Sequence, residues 1–518
     1  MELMYYRPQW TCGRYNELKN VALIYNLIEG VSYFFEDYSA VIVNEILCTE
    51  KVQRIRVANI VKDLPFTEEE IVAFLDELVF YGLVLRFVPD SLFVKEYRDR
   101  VASLRQKGAN VSVSYIGKSN NAERAYSEAC GDSCIGSVMF ELTYRCSEQC
   151  VHCYNPGATR NDTEKSYRGD RLELTFGDYK NIIDELYELG LYKVCLSGGD
   201  PFSKSIVWDL IEYLNEKGIA FDVFTNGLSI VDKIEKLANF YPRVIGISLY
   251  SNIEHVHDTI TRTNGSYLKT ISVIEQCAKF GIPMNIKCCI MLPNLKSYTT
   301  VKELAAQYGA IPQFDLNITD SIEGDKCASR YLRLPSEIME LVLRDRDIPY
   351  YIDATGIIAK KEYSICLSEK ICNAGFDSLC ITPEGYIQPC CAFPLYIGSA
   401  KEGFIGKQIE NSVKLQWWRK QRFGNLEECH KHDYCVYCQL CPGNNFIASG
   451  TPLKPSENNC TLAITRYKLA QKMQKGYDPL CGKTLEEKLA EINIGGLDLH
   501  REESINYRNT IDRIDEVS

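Results

Sequence analysis

At 518 residues the chain is long enough for several domains, since a domain averages roughly 150 residues. Its 46% hydrophobic and 25% charged residues are typical of a globular protein and exclude a disordered or fibrous one. The formal net charge of −11 argues against nucleic acid as the main partner. The unusual feature is the 23 cysteines, because a chain of this length needs no disulfides to build a core.

The N-terminal sequence gives no sign of export. MELMYYRPQWTCGRYNELKN lacks a basic stretch followed by an apolar core and a cleavage site. No apolar run approaches the ~18 residues that indicate a membrane span. We therefore expect a cytoplasmic protein with no membrane partner. In a reducing compartment, cysteines indicate metal binding or catalysis, and with only six His the thiolates favour zinc or iron–sulfur clusters.

Residues 1–95 are predicted to form a small winged-helix-like α+β domain. A capping box formed by Thr67 and Glu70 predicts the start of one of its helices. The other predicted elements are the strands Val21–Ile28, Val31–Phe35 and Leu83–Phe87 and the helix Ser39–Cys48. The domain contains nine Lys/Arg and fourteen Asp/Glu, the wrong sign for DNA, which favours a peptide partner. A simple docking domain is the alternative.

Residues 96–137 are polar and aperiodic, and they predict a linker or a clasping segment. Residues 138–345 then alternate strands with helices, which predicts a parallel sheet with right-handed crossovers. The predicted strands are Phe140–Thr143, Tyr192–Ser197, Ala220–Thr225, Val244–Leu249, Met284–Leu292 and Phe314–Leu316. Six strands are too few for an eightfold barrel, so the predicted fold class is α/β with a partial (β/α)6 barrel. Ligands of such folds bind beyond the C-terminal strand ends.

Three cysteines follow the first of these strands with the spacing Cys146-x3-Cys150-x2-Cys153. Three close thiolates can hold three irons of a cubane and leave the fourth iron open. A zinc knuckle is the alternative, although it requires a fourth ligand such as His152. Polar and glycine motifs end the next strands: Ser197-Gly198-Gly199-Asp200-Pro201, Thr225-Asn226-Gly227, and Ser248 with Arg262 soon after.

The segments CSEQCVHC, LSGGDPF and VFTNGL resemble the radical S-adenosylmethionine superfamily. The resemblance implies that Cys146, Cys150 and Cys153 hold a catalytic 4Fe–4S cluster whose open iron is chelated by S-adenosylmethionine. Reductive cleavage then gives a 5′-deoxyadenosyl radical that abstracts hydrogen. It also implies cofactor contacts from six residues: Gly198, Gly199 and Asp200 at the methionine amino group, Ser248 and Arg262 at the ribose or carboxylate, and Asn226. Asp200 departs from the commoner Glu, which alters the reach of this side chain.

Ten cysteines lie between Cys366 and Cys460. Their spacing, Cys372-x12-Gly385-x4-Cys390 and then Cys429-x5-Cys435-x2-Cys438-x2-Cys441, is similar to the SPASM extension of peptide-modifying members, here residues 346–465. That similarity implies two auxiliary 4Fe–4S clusters, three in all. The predicted ligands are Cys366, Cys372, Cys390 and Cys441 for one auxiliary cluster and Cys429, Cys435, Cys438 and Cys460 for the other. A zinc ribbon is the alternative.

The central block departs from the usual Cys-x2-Cys-x5-Cys-x3-Cys pattern. His432 falls at the second position and Cys435 is displaced from it by three residues, so Cys435 is the predicted ligand. Cys380 and Cys391 are predicted to be ordinary buried thiols. A redox or substrate-linked role for Cys130 and Cys134 is left open.

The N-terminal layout resembles the recognition element of maturases that modify ribosomally synthesised peptides. It implies that a leader peptide adds as a strand, within Val21–Phe35 or at the last strand. The predicted function is therefore a radical S-adenosylmethionine peptide maturase that forms thioether cross-links. Carbon–carbon or carbon–oxygen cross-linking, formylglycine formation and a DNA-binding iron–sulfur sensor are the alternatives. The predicted partners are the precursor peptide and an electron donor such as ferredoxin or flavodoxin, with no nucleic acid. Residues 466–518 are predicted to be a charged helical tail.

Overall fold

The computed structural model describes residues 4–62, 64–107, 121–131, 134–155, 173–322, 326–357 and 366–493. The strands are β1 (Tyr5–Tyr6), β2 (Thr11–Asn16), β3 (Val21–Asn26), β4 (Val31–Glu36), β5 (Arg54–Ile55), β6 (Ser137–Thr143), β7 (Lys193–Gly198), β8 (Ala220–Thr225), β9 (Val244–Ser248), β10 (Met284–Cys289), β11 (Ile311–Asp315), β12 (Ser378–Ile381), β13 (Tyr386–Gln388) and β14 (Gly398–Ser399). The helices of the N-terminal part are α1 (Asp37–Cys48), α2 (Val57–Lys62), α3 (Glu68–Phe80), α4 (Ser91–Gln106) and α5 (Ala122–Cys130). The later helices are α6 (Phe176–Glu188), α7 (Val207–Glu216), α8 (Ile234–Ala238), α9 (Glu254–Thr261), α10 (Ser266–Lys279), α11 (Thr300–Gln307), α12 (Cys327–Tyr331), α13 (Ser336–Val342), α14 (Ile405–Asn411), α15 (Val413–Arg419), α16 (Pro442–Ser449), α17 (Glu457–Gln474) and α18 (Leu485–Ala490).

The N-terminal domain is a three-stranded antiparallel sheet, β2-β3-β4, with α1, α2 and α3. Its core joins apolar residues of β3 and β4 to α1 and α3. The Thr67–Glu70 capping box opens α3 as predicted. The predicted strand Leu83–Phe87 is reduced to one bridge between Leu85 and Tyr6. Strand β2 was not predicted, because TCGRYN has neither an apolar run nor a period-two pattern.

The segment predicted as a linker, residues 96–137, contains most of α4 and all of α5. Tyr97 and Val101 of α4 and Tyr126 of α5 are buried in a cluster shared by β3 and the barrel. These helices therefore clasp the N-terminal domain to the barrel. Helices α4 and α5 were not predicted because each buries only two to four residues among polar ones. That number is too small to produce a clear helical period of apolar residues.

The central sheet has the order β11-β10-β9-β8-β7-β6-β12-β13-β14. Strands β6 to β11 are all parallel and follow one another in sequence, which confirms the predicted partial barrel. Strand β12, from the cysteine-rich region, adds to β6 in parallel and so attaches that region directly to the barrel sheet. Apolar residues such as Phe140 and Leu196 pack outward against the helices. Because side chains alternate along a strand, Glu141 and Cys195 take the opposite, inner face.

The N-terminal domain and α4 lie against the end of the barrel where its strands begin. Four basic side chains donate to backbone carbonyls at, or just beyond, the C-terminal ends of barrel helices: Arg14 to Tyr187 at 2.8 Å, Lys51 to Asn215 at 3.1 Å, Arg98 to Ala238 at 2.7 Å and Arg105 to Gly281 at 3.5 Å. Cations at these positions interact favourably with the negative ends of the helix dipoles, and they provide hydrogen-bond donors for the last carbonyls of the helices. In a barrel of alternating strands and helices, each helix ends at the side of the barrel where the next strand begins. The N-terminal domain therefore lies at that side, opposite the side where the strands end.

Helix α17 runs through the boundary predicted at residues 465–466. Leu469, Ala470 and Met473 are buried in the main core, where α17 packs against α13. Residues 466–474 thus belong to the folded body and not to a tail. The rest of the predicted tail from residue 494 lies outside the described residues. Across the described ranges, the helices are too short or too polar to cross a bilayer.

Candidate active site

The cysteine triad lies in the loop that follows β6, at the C-terminal ends of the barrel strands. Its backbone is held by the end of α9: the Gln149 amide donates to the Thr261 carbonyl at 3.0 Å, and the Val151 amide donates to Ile260 at 2.9 Å. These bonds fix a short loop that would otherwise carry few contacts of its own. The loop therefore presents its three thiols from a defined backbone.

The thiols of the triad lie in an environment that favours a bound cation. Burial, and then the charges of Glu148 and the other two thiols, raise the pKa of Cys150 well above its ordinary value. The Cys150 thiol donates to Glu148 Oε2 at 3.3 Å, while Glu148 Oε1 is buried with no partner among the described residues. Burial raises the pKa of Glu148 to about 7. A positive metal centre would relieve this crowding of potential anions, so the donor set fits an iron–sulfur cluster.

No group of three Cys, His, Asp or Glu side chains in the described ranges is arranged around one metal ion. A four-iron cubane is larger than an ion and keeps its cysteines further apart. His152, the fourth ligand that a zinc knuckle would use, packs edge-on against Tyr250 with ring centres 4.7 Å apart. Burial lowers the pKa of His152 to about 4, so its ring is neutral near pH 7.

The glycine motif is bonded to the start of the triad loop. The Gly199 amide donates to the Thr143 carbonyl at 2.7 Å, and the Asp200 amide donates to the Arg145 carbonyl at 2.9 Å. A Cβ on Gly198 would lie 2.3 Å from the Thr143 carbonyl oxygen, and one on Gly199 would lie 2.3 Å from that of Arg145. Both glycines are thus required for the two strand ends to meet, and Gly198 also has a φ of +124°.

We expect Gly199→Ala to destabilise the protein and to disable the site. The added Cβ has to displace the Arg145 carbonyl beside the triad, which costs about 1–3 kcal/mol of unfolding free energy. The accompanying shift of the loop lowers the rate of S-adenosylmethionine cleavage by about 100-fold. Chemical denaturation and measurement of 5′-deoxyadenosine test both effects. Gly177→Ala is the matched control, because its Cβ meets only Thr175 Oγ1 at 3.7 Å. Equal effects of the two substitutions would contradict this explanation.

The Asp200 carboxylate is directed into the protein. It is fully buried, its Oδ1 accepts from the Phe202 amide at 2.9 Å, and its Oδ2 accepts from the Thr225 hydroxyl at 3.1 Å. Burial raises its pKa to about 6. The carboxylate therefore ties the end of β7 to the end of β8. The sequence had predicted that this side chain holds the cofactor's amino group.

Asn226, from the end of β8, is a predicted residue whose side chain contacts the triad itself. Its Nδ2 donates to Cys146 Sγ and to Ser147 Oγ, both at 3.3 Å. Arg262 follows α9 in a left-handed conformation, beside the Thr261 carbonyl that holds the loop. Ser248 is the last residue of β9. The strand ends thus converge as predicted.

Two contributors to the site were not predicted. Asn155 Nδ2 donates to the Gly198 carbonyl at 3.1 Å, which holds the backbone just after Cys153 against the end of β7. Glu148 supplies the buried carboxylate beside Cys150. The position of both residues near the triad in sequence was visible, but neither residue type nor spacing distinguishes them from solvated loop residues.

The four cysteines Cys429, Cys435, Cys438 and Cys460 line one cavity of about 200 Å³. Burial, and then the neighbouring thiols, raise the pKa of Cys429 and Cys438 to about 12. His432 instead stacks on Tyr434 at 4.9 Å. The cavity, its size and its thiol lining fit an iron–sulfur cluster held by this set.

A second set, Cys372, Cys390 and Cys441, is also close enough for the thiols to act on each other's charge. Cys366 is exposed, with its sulfur 3.1 Å from Ser368 Oγ. Cys380 is buried beside Glu141, as the sequence suggested for an ordinary thiol. The Cys391 sulfur lies 4.0 Å from that of Cys390, however, so the structure leaves it beside this set.

Cys130 and Cys134 are buried where the N-terminal domain meets the barrel. Asn16 Nδ2 donates to Cys130 Sγ at 3.2 Å, and the backbone after Cys134 pairs with Leu189 beyond the end of α6. The pair is therefore at the beginning of the barrel strands and not beside the triad.

Comparison with known proteins gives consistent matches. Residues 140–305 match the family model of the radical SAM superfamily. The chain is 30% identical over 344 residues to the mycofactocin maturase MftC of Mycolicibacterium smegmatis. This alignment covers 62% of the chain and 82% of MftC. It is 25% identical to the subtilosin biosynthesis protein AlbA of Bacillus subtilis, over 59% of this chain and 66% of AlbA. A crystal structure of Streptococcus suis SuiB bound to S-adenosylmethionine aligns over 88% of this chain and 99% of SuiB, with a TM-score of 0.50 and 14% identity.

The chain therefore belongs to the radical SAM superfamily, and it is a radical S-adenosylmethionine enzyme. Membership implies a 4Fe–4S cluster and S-adenosylmethionine as cofactors. The resemblance seen in the sequence motifs is confirmed, and the SuiB alignment agrees with the fold.

Proposed function

We propose that this enzyme is a maturase that modifies a ribosomally synthesised precursor peptide, with thioether cross-links as its product. The observation that carries the proposal is the division of the cysteines into three separate sets, one in the triad loop and two in the C-terminal region. A hydrogen-abstracting centre needs only the first set. The maturase MftC and the bacteriocin biosynthesis protein AlbA support a peptide substrate.

In this proposal Cys146, Cys150 and Cys153 hold the catalytic cluster. When bound, the cluster and S-adenosylmethionine supply a 5′-deoxyadenosyl radical that abstracts a hydrogen atom from the peptide. The side-chain amide of Asn226 positions Cys146 by donating a hydrogen bond to its sulfur. Gly198, Gly199, Ser248 and Arg262 line the cofactor, while Asp200 holds the strand ends in register. A ferredoxin or flavodoxin supplies the electron.

The two C-terminal cysteine sets are proposed to hold auxiliary 4Fe–4S clusters. Cys429, Cys435, Cys438 and Cys460 surround a cavity of about 200 Å³, and His432 is replaced by Cys435 as a ligand. Cys372, Cys390 and Cys441 form the other set, with Cys366 as its fourth member. Strand β12 places this second set beside the barrel, because β12 pairs with β6 and leads through β13 to Cys390.

The leader peptide is proposed to add to the free edge of β4. In an antiparallel ladder, hydrogen-bonded and non-hydrogen-bonded residue pairs alternate. The Asp37 amide donates to the Asn20 carbonyl at 3.0 Å, so Asn20 and Asp37 form a hydrogen-bonded pair, and this determines which residues of β4 bond to β3. Ser32 and Phe34 then direct their backbone groups away from β3, and these groups have no partner in the described part of the chain. An added strand would satisfy them.

We expect Phe34→Pro to weaken leader binding about tenfold or more. The substitution removes one outward amide, worth about 0.5–1.5 kcal/mol, and its ring also obstructs an added strand. Phe34→Ala is the matched control, because it loses the same ring contacts but keeps the amide. Fluorescence anisotropy with a labelled leader measures both affinities. If the two variants bind alike, β4 is not the leader site.

The function is tested with anaerobically reconstituted protein and candidate precursor peptides, taken from short reading frames found beside its gene. The proposal expects about twelve irons per chain and formation of 5′-deoxyadenosine. Each thioether removes two hydrogen atoms and one alkylatable thiol from the peptide, which mass spectrometry after iodoacetamide treatment detects. Loss of two hydrogens with every thiol intact would indicate carbon–carbon or carbon–oxygen cross-linking instead. About four irons would overturn the auxiliary clusters.

A further inference from the structure

Arg466 is one of the largest fully buried side chains of the protein, with 1% of its surface exposed. It lies on α17, the helix whose first turns also carry Cys460. A guanidinium is almost never buried without an anionic partner, because removing it from water costs several kcal/mol. Its position therefore requires an explanation.

The guanidinium is bonded to the residues on either side of Cys438. It donates to the Tyr437 carbonyl at 3.3 Å and to Gln439 Oε1 at 3.5 Å, and a third bond goes to the Pro349 carbonyl at 3.0 Å. Its carbon lies 5.3 Å from the centre of the Tyr350 ring, and Tyr350 lines the same cavity as the four cysteines. Arg466 thus lies directly behind Tyr350 and Gln439, two residues that line the cavity of that cysteine set.

None of these partners carries a full negative charge. Among the described residues, no carboxylate lies within ion-pair distance of Arg466, and its Nε has no hydrogen-bond partner. The charges that act on it are those of Cys438, Tyr350 and Asp315, and burial lowers its pKa to about 10. It remains a cation near neutral pH. Cys438 has the largest effect of the three, and Asp315 acts from beyond ion-pair distance, so the anion that complements Arg466 most directly is the cysteine set.

We propose that Arg466 is the buried counter-charge of the cluster bound by Cys429, Cys435, Cys438 and Cys460, and that it raises the reduction potential of that cluster. The inference rests on the proposed auxiliary cluster. Four thiolates give a 4Fe–4S centre a net negative charge, which increases on reduction. A fixed, buried cation beside the cluster stabilises the reduced cluster more than the oxidised cluster.

The test compares Arg466→Met and Arg466→Lys in full-length protein whose Cys146, Cys150 and Cys153 are all replaced by Ala. That background removes the catalytic signal and leaves the auxiliary signals for an EPR-monitored redox titration. Arg344→Met is the matched control, because Arg344 is also largely buried but has a carboxylate partner, Asp478, at 3.5 Å. Iron content is measured for every variant.

We expect Arg466→Met to make reduction of one auxiliary cluster at least tenfold less favourable, which is a shift of 59 mV for one electron. The other cluster and the Arg344→Met control keep their potentials, and Arg466→Lys stays close to the parent. An unchanged potential with full iron loading in Arg466→Met would overturn the proposal. If only one auxiliary signal exists in the parent, the proposed cluster itself fails.

A second measurement covers the case in which Arg466→Met does not load iron. In iron-free protein, removing an uncompensated buried charge should leave the melting temperature unchanged or raise it. A purely structural role, as a clamp on Tyr437 and Gln439, predicts the opposite, a lower melting temperature without iron. That outcome would overturn the counter-charge, and so would an Arg466→Lys variant that loads iron poorly or has the shifted potential of Arg466→Met.

Discussion

Cys150→Ala is expected to abolish cleavage of S-adenosylmethionine. Cys150 is a partly buried thiol of the triad that donates to Glu148 Oε2 at 3.3 Å, and without it the proposed cluster loses one of its three thiolate ligands. No 5′-deoxyadenosine should form above background in an anaerobic assay. Leader binding should be unchanged, because the N-terminal domain contacts the opposite end of the barrel.

The control for this substitution is Cys277→Ala. Cys277 is fully buried on α10, within the layer between helix and sheet, so its loss tests the effect of removing a core thiol without touching the site. It should retain cleavage with only a modest loss of stability, on the order of 1 kcal/mol. If the Cys150→Ala variant still cleaves S-adenosylmethionine, Cys150 is not a ligand of the catalytic cluster. Loss of leader binding as well would instead indicate a structural role.

The second large effect is expected from shortening the peptide between its leader and its modified residue. The N-terminal domain, where we propose that the leader binds, is at the start of the barrel strands, and the triad is at their ends. A six-residue strand such as β8 spans about 20 Å, and an extended peptide covers at most about 3.3–3.6 Å per residue. Peptides with fewer than about six residues in this spacer should therefore bind but remain unmodified.

Two sets of peptides separate the possible results. One set deletes spacer residues stepwise, and the other replaces the same residues with Gly and Ser at constant length. Affinity is measured by anisotropy and modification by mass spectrometry. A sharp loss of modification in the first set alone supports a fixed distance between leader site and triad. Full modification of the shortest peptides would show that the leader binds elsewhere.

The site was predictable wherever a motif was continuous in sequence. Cys146, Cys150 and Cys153 stand within eight residues, so their common loop follows from spacing alone. Asn226 was identified because each barrel strand ends at the same edge. The assignment of Asp200 to the cofactor stays a prediction, and what a sequence does not show is the direction of its carboxylate. Its bonds to Phe202 and Thr225 depend on how β7 and β8 lie against each other.

Local sequence was enough to identify the radical SAM motifs, the six alternating strands and the N-terminal capping box, because each depends on residues close together in the chain. The folded structure was needed to show which cysteines share a cavity and where the N-terminal domain lies. The 23 cysteines are chemically alike, so burial and neighbours alone distinguish Cys435 from a surface thiol. Likewise, Arg14, Lys51, Arg98 and Arg105 resemble surface charges until four helix ends receive them. Long-range contacts of this kind leave no local pattern, because their partners lie more than a hundred residues apart.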